Sequence, residues 1–179
     1  IRSGEIVGLF GLMGAGRTEL MRCLFGVDRM EAGKVHFQGR QLKNLSPETC
    51  IRNGMAFVTE DRRQEGLLMS KPLKDNLVLV KLQQLLKRFG LVDSKLEDQE
   101  AARAIEQLDV KAQNKNSQVA GSLSGGNQQK VVLGKWLINS PALFFMDEPT
   151  RGVDVAAKYE IYATINQMAK NGKAVLFVS

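Results

Sequence analysis

An α/β fold built on a mainly parallel sheet is what this 179-residue sequence predicts. Three observations carry the expectation. Short apolar runs of strand length alternate with longer segments of helical periodicity. A glycine-rich stretch, GLMGAGRTEL at residues 11–20, lies between the first apolar run and the first helix. A second apolar run, ALFFM, ends in two adjacent carboxylates, Asp147 and Glu148. Strands joined through helices run parallel, because each crossover returns the chain to the same end of the sheet.

Each element follows in order. Residues 5–10 form an apolar run ending in glycine, the pattern of a buried strand. Leu20, Met21 and Leu24 stand at helical spacing over residues 18–25. Residues 34–38 alternate Val35 and Phe37 with polar neighbours, and Gln38-Gly39-Arg40 reads as a hairpin turn. His36 falls on the polar face there and is given no role. Ser46-Pro47 supplies an N-cap and a proline for the first helical turn, and Asn53-Gly54 closes that short helix. Residues 55–59 read as another buried strand. From 73 to 110 the pattern is helical, with Leu82, Leu85, Leu86 and Phe89, then Ala101, Ala104, Ile105 and Leu108. That segment is a helical insertion between sheet-forming parts. A helix over 127–138, a fully apolar strand over 142–146, a helix over 154–170 and a strand over 174–178 complete the chain. No internal repeat or low-complexity segment is present.

Composition bounds the function. Hydrophobic residues make up 44% and charged residues 25%, the balance of a globular domain with its own core. No apolar run approaches the length of a bilayer span, and the first residues lack a signal-peptide layout. Cys23 and Cys50 are far apart with no metal spacing, so a disulfide framework or zinc site is not expected. A reducing, cytoplasmic setting follows. The net charge of +6 is spread along the chain rather than clustered with aromatics. It is expected to suit a phosphate-rich ligand, not nucleic acid.

Three stretches carry chemistry. GLMGAGRTEL nearly matches G-x-x-x-x-G-K-[ST], the loop that cradles nucleotide phosphates, but Arg17 stands where lysine belongs. Backbone N–H groups of Gly14, Ala15, Gly16, Arg17 and Thr18 would face a phosphate at a helix N-terminus, where the helix dipole places about half a positive charge. Thr18 is placed for Mg²⁺. A strand-to-helix turn needing glycine only for its backbone angles is the alternative. ALFFMDEPT brings Asp147 and Glu148 to the C-terminal edge of a parallel sheet, where ligands of such sheets bind. Asp147 would hold Mg²⁺ through water, and Glu148 would orient or deprotonate an attacking water. LSGGNQQKV opens a helix with Ser124, Gly125 and Gly126, a second anion-suited N-terminus.

With these motifs in this order, the sequence resembles the ATP-binding subunits of ABC transporters over essentially its whole length. The resemblance implies a P-loop NTPase fold: an ABC-type ATPase core with a β-hairpin and an inserted helical subdomain at about residues 67–135. It implies ATP and Mg²⁺ as cofactors. The loop residues Gly11, Gly14, Ala15, Gly16, Arg17, Thr18 and Glu19 would hold nucleotide. Leu123, Ser124, Gly125, Gly126 and Gln128 form the signature, which in that family serves an ATP seated on a second, head-to-tail domain. Asp154 in TRGVD matches the loop linking the two sites. Thr18, Glu60 and Asp147 would serve the metal, and Glu148 would be the catalytic residue. Glu60 stands where the family usually has glutamine, adding a carboxylate that would repel phosphate oxygens.

GLMGAGRTEL, VTEDRRQEGL, LSGGNQQKV and DEPTRGVDV together look like the second ATPase domain of the tandem subunits that drive ribose-, galactose- and xylose-type importers. That implies one degenerate phosphate loop per chain, because arginine's broad planar fork does not replace lysine's compact charge. It further implies a second ATPase domain in the same chain, transmembrane permease subunits, a sugar-binding protein, and a peripheral place on the inner face of the membrane. The adenine-stacking aromatic and the switch histidine would lie upstream and downstream of residues 1–179, so the domain is expected to be partial at both ends. A non-catalytic module that lends its signature to a partner, or a soluble ABC-type ATPase acting on DNA or ribosomes, are the competing readings.

Overall fold

The computed structural model describes residues 1–12, 14–87, 90–114 and 117–179. Four strands form one parallel sheet: β1 (Ile6–Leu9), β4 (Met55–Val58), β5 (Leu143–Asp147) and β6 (Ala174–Val178), in spatial order β1-β6-β5-β4. The register pairs Leu9 with Val178, Asp147 with Val178, and Val58 with Met146. All four C-terminal strand ends therefore lie along one edge. The loops that follow them share that edge for the same reason.

Between β1 and β4 come α1 (Arg17–Phe25), the hairpin of β2 (Val35–Phe37) and β3 (Arg40–Leu42), and α2 (Pro47–Arg52). Gln38 and Gly39 both take positive φ, the signature of a tight two-residue turn between twisted strands. Ser46 caps α2 by accepting the Thr49 N–H at 3.1 Å. His36 is exposed, as its polar-face position requires.

Alternation along the strands divides the core. Phe57 and Phe145 share a sheet face with Asp147, two residues further along β5. Phe25 of α1 meets Phe57, Phe145 and Trp136 at ring-centroid distances of 5.4, 6.2 and 5.8 Å. On the opposite face Phe177 meets Tyr162 of α6 (Val155–Lys170). Helices thus cover both faces, which is why β4 and β6 are almost wholly buried.

One strand and one helix expectation change. The first strand is half-exposed, with Ile6 at 41%, and Phe10 just beyond its end is 75% exposed. In α1 the buried stripe runs through Met21 and Phe25, and Leu20 lies off it.

The helical expectation over 73–110 also divides. α3 (Leu73–Val78) passes into a 3₁₀ segment at Leu79–Leu85, and α4 spans Ser94–Gln107. Between them Leu86 and Val92 form an antiparallel bridge, and Gly90 takes φ +74. Asp93 then caps α4 by accepting the Leu96 N–H, which starts a new helix rather than extending the old one. Phe89 lies outside the described residues. Ala101, Ala104, Ile105 and Leu108 are buried against their neighbours, as their spacing predicts. α5 (Gly125–Leu137) contacts α3, α4, α6 and β4, joining the helical part to the sheet. Asn76, wholly buried, fixes the approach to α3 by bonding Leu68 N and the Leu68 and Pro72 carbonyls. No described helix is long and apolar enough to cross a membrane.

Candidate functional site

The loop between β1 and α1 turns on Gly14 (φ +80) and Gly16 (φ +77). A Cβ at either would meet nothing within 4 Å. Backbone angle, not crowding, demands glycine here. Gly16 offers no side-chain cap, so N–H groups of the first turn of α1 remain open toward the sheet edge. The Ala15 N–H is the exception: it donates to the Leu12 carbonyl at 3.1 Å and closes the turn on itself. Met13, within the loop, lies outside the described residues. The Arg17 stem passes over Gly11, and its Nη1 donates to the Ser179 carbonyl at 2.6 Å. The cation thus leans on the end of β6.

A cleft of about 450 Å³ opens where the strand ends meet, lined by Gly14, Arg17, Thr18, Glu60, Asp147, Glu148, Arg151 and Val178. Five of the expected nucleotide and metal residues converge there, together with the expected catalytic Glu148. Gly11, Ala15, Gly16 and Glu19 sit beside the cleft rather than on its wall.

Asp147 is 1% exposed, and neither carboxylate oxygen has a partner of full hydrogen-bonding geometry. Burial pushes its pKa above the ordinary carboxylate range, while the nearby Thr18 hydroxyl and the Arg17 charge pull the other way. Two orphaned buried oxygens beside a hydroxyl fit a divalent cation. Among the described residues no group of three or more His, Cys, Asp or Glu could hold a metal alone. This suits Mg²⁺, which keeps waters and phosphate oxygens among its ligands.

Glu148 is half-buried and holds φ +42, a region non-glycine residues rarely adopt. Its N–H donates to the Val178 carbonyl at 3.0 Å and its carbonyl accepts from Arg151 N at 2.9 Å. Those bonds sustain a backbone costing about 1–3 kcal/mol and re-aim the side chain from strand alternation. Glu60 is ion-paired with Arg151. The repulsion expected from its carboxylate is therefore offset by a cation on the facing loop.

The second motif lies elsewhere. Ser124 is exposed, caps α5 through the Asn127 N–H, and also accepts the Asn127 amide at 2.9 Å. Asn127 accepts the Lys111 N–H at 2.7 Å through its other end. Ser124 lines two further clefts, neither shared with the phosphate loop. Leu123 and Gln128, expected in the phosphate-facing set, are buried at 8% and 4% exposure. The Gln128 amide donates to the Ala120 and Leu123 carbonyls, bracing the turn from inside. Asp154 caps α6 by accepting the Ala157 N–H at 2.9 Å. Gly126 lets α5 approach α6, since a Cβ there would stand 2.5 Å from the Ala157 Cβ.

Three cations matter that sequence reasoning left aside: Arg62, Arg151 and Lys135. Lys135 is 6% exposed, donates to the Gly66 carbonyl at 2.6 Å, and lies 5.4 Å from the Trp136 ring centroid. Burial lowers its pKa to about 8. α5 is buried without a break from Gln128 to Trp136, and the carbonyl Lys135 grips lies 69 residues away in the chain, so neither its burial nor its partner was readable.

The ABC transporter family profile matches residues 1–151. The ribose import ATP-binding protein RbsA of Lactococcus lactis subsp. lactis is 46% identical over all 179 residues, which span 36% of its own length. That of Bacillus subtilis is 45% identical, again over 179 residues and 36% of its length. The chain thus spans about a third of the curated relatives it matches. A nucleotide-free ATP-binding cassette from an ABC transporter superposes with TM-score 0.82 at 21% identity, covering 100% of this chain and 72% of that one. A dimeric post-hydrolysis cassette bound to ADP and phosphate gives TM-score 0.82 at 22% identity, covering 100% and 76%.

Proposed function

The chain belongs to the ABC transporter family, and on that premise we propose that it is the second, degenerate-loop ATPase domain of a tandem subunit that energises monosaccharide import. The observation that carries this is the separation of two half-sites. The phosphate-loop cleft holds Thr18, Asp147 and Glu148, while Ser124 lines clefts on another part of the surface. A half-site at each place fits a head-to-tail pairing in which each nucleotide lies between one domain's loop and the other's signature.

The residues then divide the work. N–H groups at the start of α1 bind the phosphates electrostatically. Thr18 and Asp147 hold Mg²⁺, which when bound neutralises charge developing on the phosphate oxygens. Glu148 orients or deprotonates water, held for that task by its strained backbone. Arg17, engaged with the Ser179 carbonyl, supplies a diffuse cation where a compact one is needed, so turnover at this loop is slow. Ser124, Gly125 and Gly126 serve the nucleotide on the partner domain. The 46% identity to a ribose importer protein supports sugar import, with permease subunits and a sugar-binding protein as partners and the inner membrane face as location.

Calorimetry of ATP·Mg²⁺ binding to the chain beside Arg17→Lys tests the loop. The expected result is measurable binding that tightens about tenfold in the lysine variant, or about 1.4 kcal/mol. Purified chain turning over ATP several times per second would overturn the degenerate-loop reading.

A further inference from the structure

The sharp turn after β4, Arg62–Gly66, is capped locally by the Asp61 carboxylate, which accepts from Arg63 N and Gln64 N. Arg62 leaves that turn and crosses to two other segments. Its Nη1 donates to the Arg151 carbonyl at 2.7 Å and Nη2 to the Gly152 carbonyl at 3.0 Å. Its Nε donates to the Gln128 Oε1 at 3.3 Å. Gln128 passes the connection to the Ala120 and Leu123 carbonyls. One cation therefore joins the end of β4, the turn after β5 and the start of α5.

The seat is shaped for it. A Cβ on Gly125 would stand 2.8 Å from Nη2 and 3.0 Å from the Gly152 oxygen. Gly152, at φ +65, would place a Cβ 3.5 Å from Nη1. Two neighbouring carbonyls and an amide oxygen match the fixed fork of a guanidinium, and a lysine ammonium could not span them. Burial and the neighbouring Arg63 charge lower the Arg62 pKa, opposed by Asp61. The carbonyls are what offset the desolvation of the cation. Glu60, two residues earlier, makes a second link to the same turn through Arg151.

We infer that Arg62 is a positioning residue whose guanidinium locks the start of α5 to the turn after β5, so that Ser124 and Asp154 meet a partner domain as one rigid surface. The inference rests on the reading that the signature serves a partner's nucleotide.

The test uses Arg62→Gln and Arg62→Lys in the full-length protein, with amide hydrogen exchange and ATP turnover measured together. Arg62→Gln is expected to speed exchange about tenfold at 123–128 and 151–157 while β5 and β6 keep their protection. Its kcat is expected to fall about tenfold with KM for ATP within about twofold, since Arg62 does not itself line the loop cleft and Gly14, Thr18 and Asp147 keep their places. Arg62→Lys recovers part of both, because an ammonium can hold one carbonyl. Unchanged exchange at both segments overturns the inference. So does faster exchange spread evenly over the chain in both variants, which would make Arg62 a general stabiliser. Local loosening with full turnover overturns the positioning role as well, and leaves the reading of the signature to be decided by the Ser124→Arg variant.

Discussion

The phosphate-loop cleft and the start of α5 each lie at a helix N-terminus, yet their hydrogen bonding is opposite in character: Gly16 leaves α1 without a side-chain cap, and Ser124 supplies one to α5. In the cleft the Asp147 oxygens are orphaned, Glu148 is held at φ +42, and Gly14 and Gly16 face open space. At the start of α5, Ser124 caps the helix, Asn127 and Gln128 are each bonded at both ends, and both glycines are wedged against neighbours. The first region carries polar capacity that only a ligand can satisfy. In the second, the side chains of Asn127 and Gln128 are satisfied before any ligand arrives. Unmet polar groups make a binding site; fully met ones make a rigid tool for use elsewhere.

The largest effect should separate the two regions by activity. Ser124→Arg is expected to cut ATP turnover of the full-length protein at least about 100-fold, the scale for losing aligned charge stabilisation. Arg17→Ala should cost under about tenfold. Steady-state assays giving comparable losses would erase the distinction.

Lys135 sharpens the picture of α5 as a pinned element. Its folded pKa, about 8, lies below the ordinary 10.5, so the unfolded chain holds the proton more tightly between those values. Stability should rise with pH across that window, relative to Lys135→Met, by up to about 3 kcal/mol. Melting curves from pH 7 to 11 measure it; a flat difference would remove Lys135 as a buried cation.

Asp147 tests the opposite case. Its folded pKa is raised, so its ionisation costs ligand-free stability progressively as pH climbs above the unfolded value of 3.8. Asp147→Asn should therefore melt higher without ligand at neutral pH, with the gain shrinking toward pH 4. The same variant should lose the Mg²⁺-dependent part of the shift that ATP produces. A lower melting point in the variant would show that the carboxylate is already satisfied.

The smallest effect belongs to Glu60→Gln. The pair with Arg151 is partly solvated, at 33% and 65% exposure, so its loss should change stability by under about 1 kcal/mol. Calorimetry should find ATP binding only a few-fold tighter. A tenfold gain would mean that Arg151 does not screen Glu60.

Much of this architecture was legible from residue order. Period-two and period-3.6 patterns fix strands and helices locally, so β6 and the Ser46-Pro47 cap fell where expected. Gly14, Gly16, Asp147 and Glu148 announced the cleft because backbone freedom after a strand, and carboxylates at a strand end, are local signals. Family membership was legible too, since the motifs are contiguous words in a fixed order. What only the tertiary structure decided depends on partners distant along the chain. Arg62 is one arginine in DRRQEG until folding brings the Arg151 and Gly152 carbonyls, 89 and 90 residues away, to its fork. Gln128 read as a ligand contact in the signature, and burial turned it into a brace. Glu60 read as a lone repulsive charge until the fold set Arg151 beside it. Local sequence sets backbone geometry, but burial and charge pairing are properties of the assembled chain.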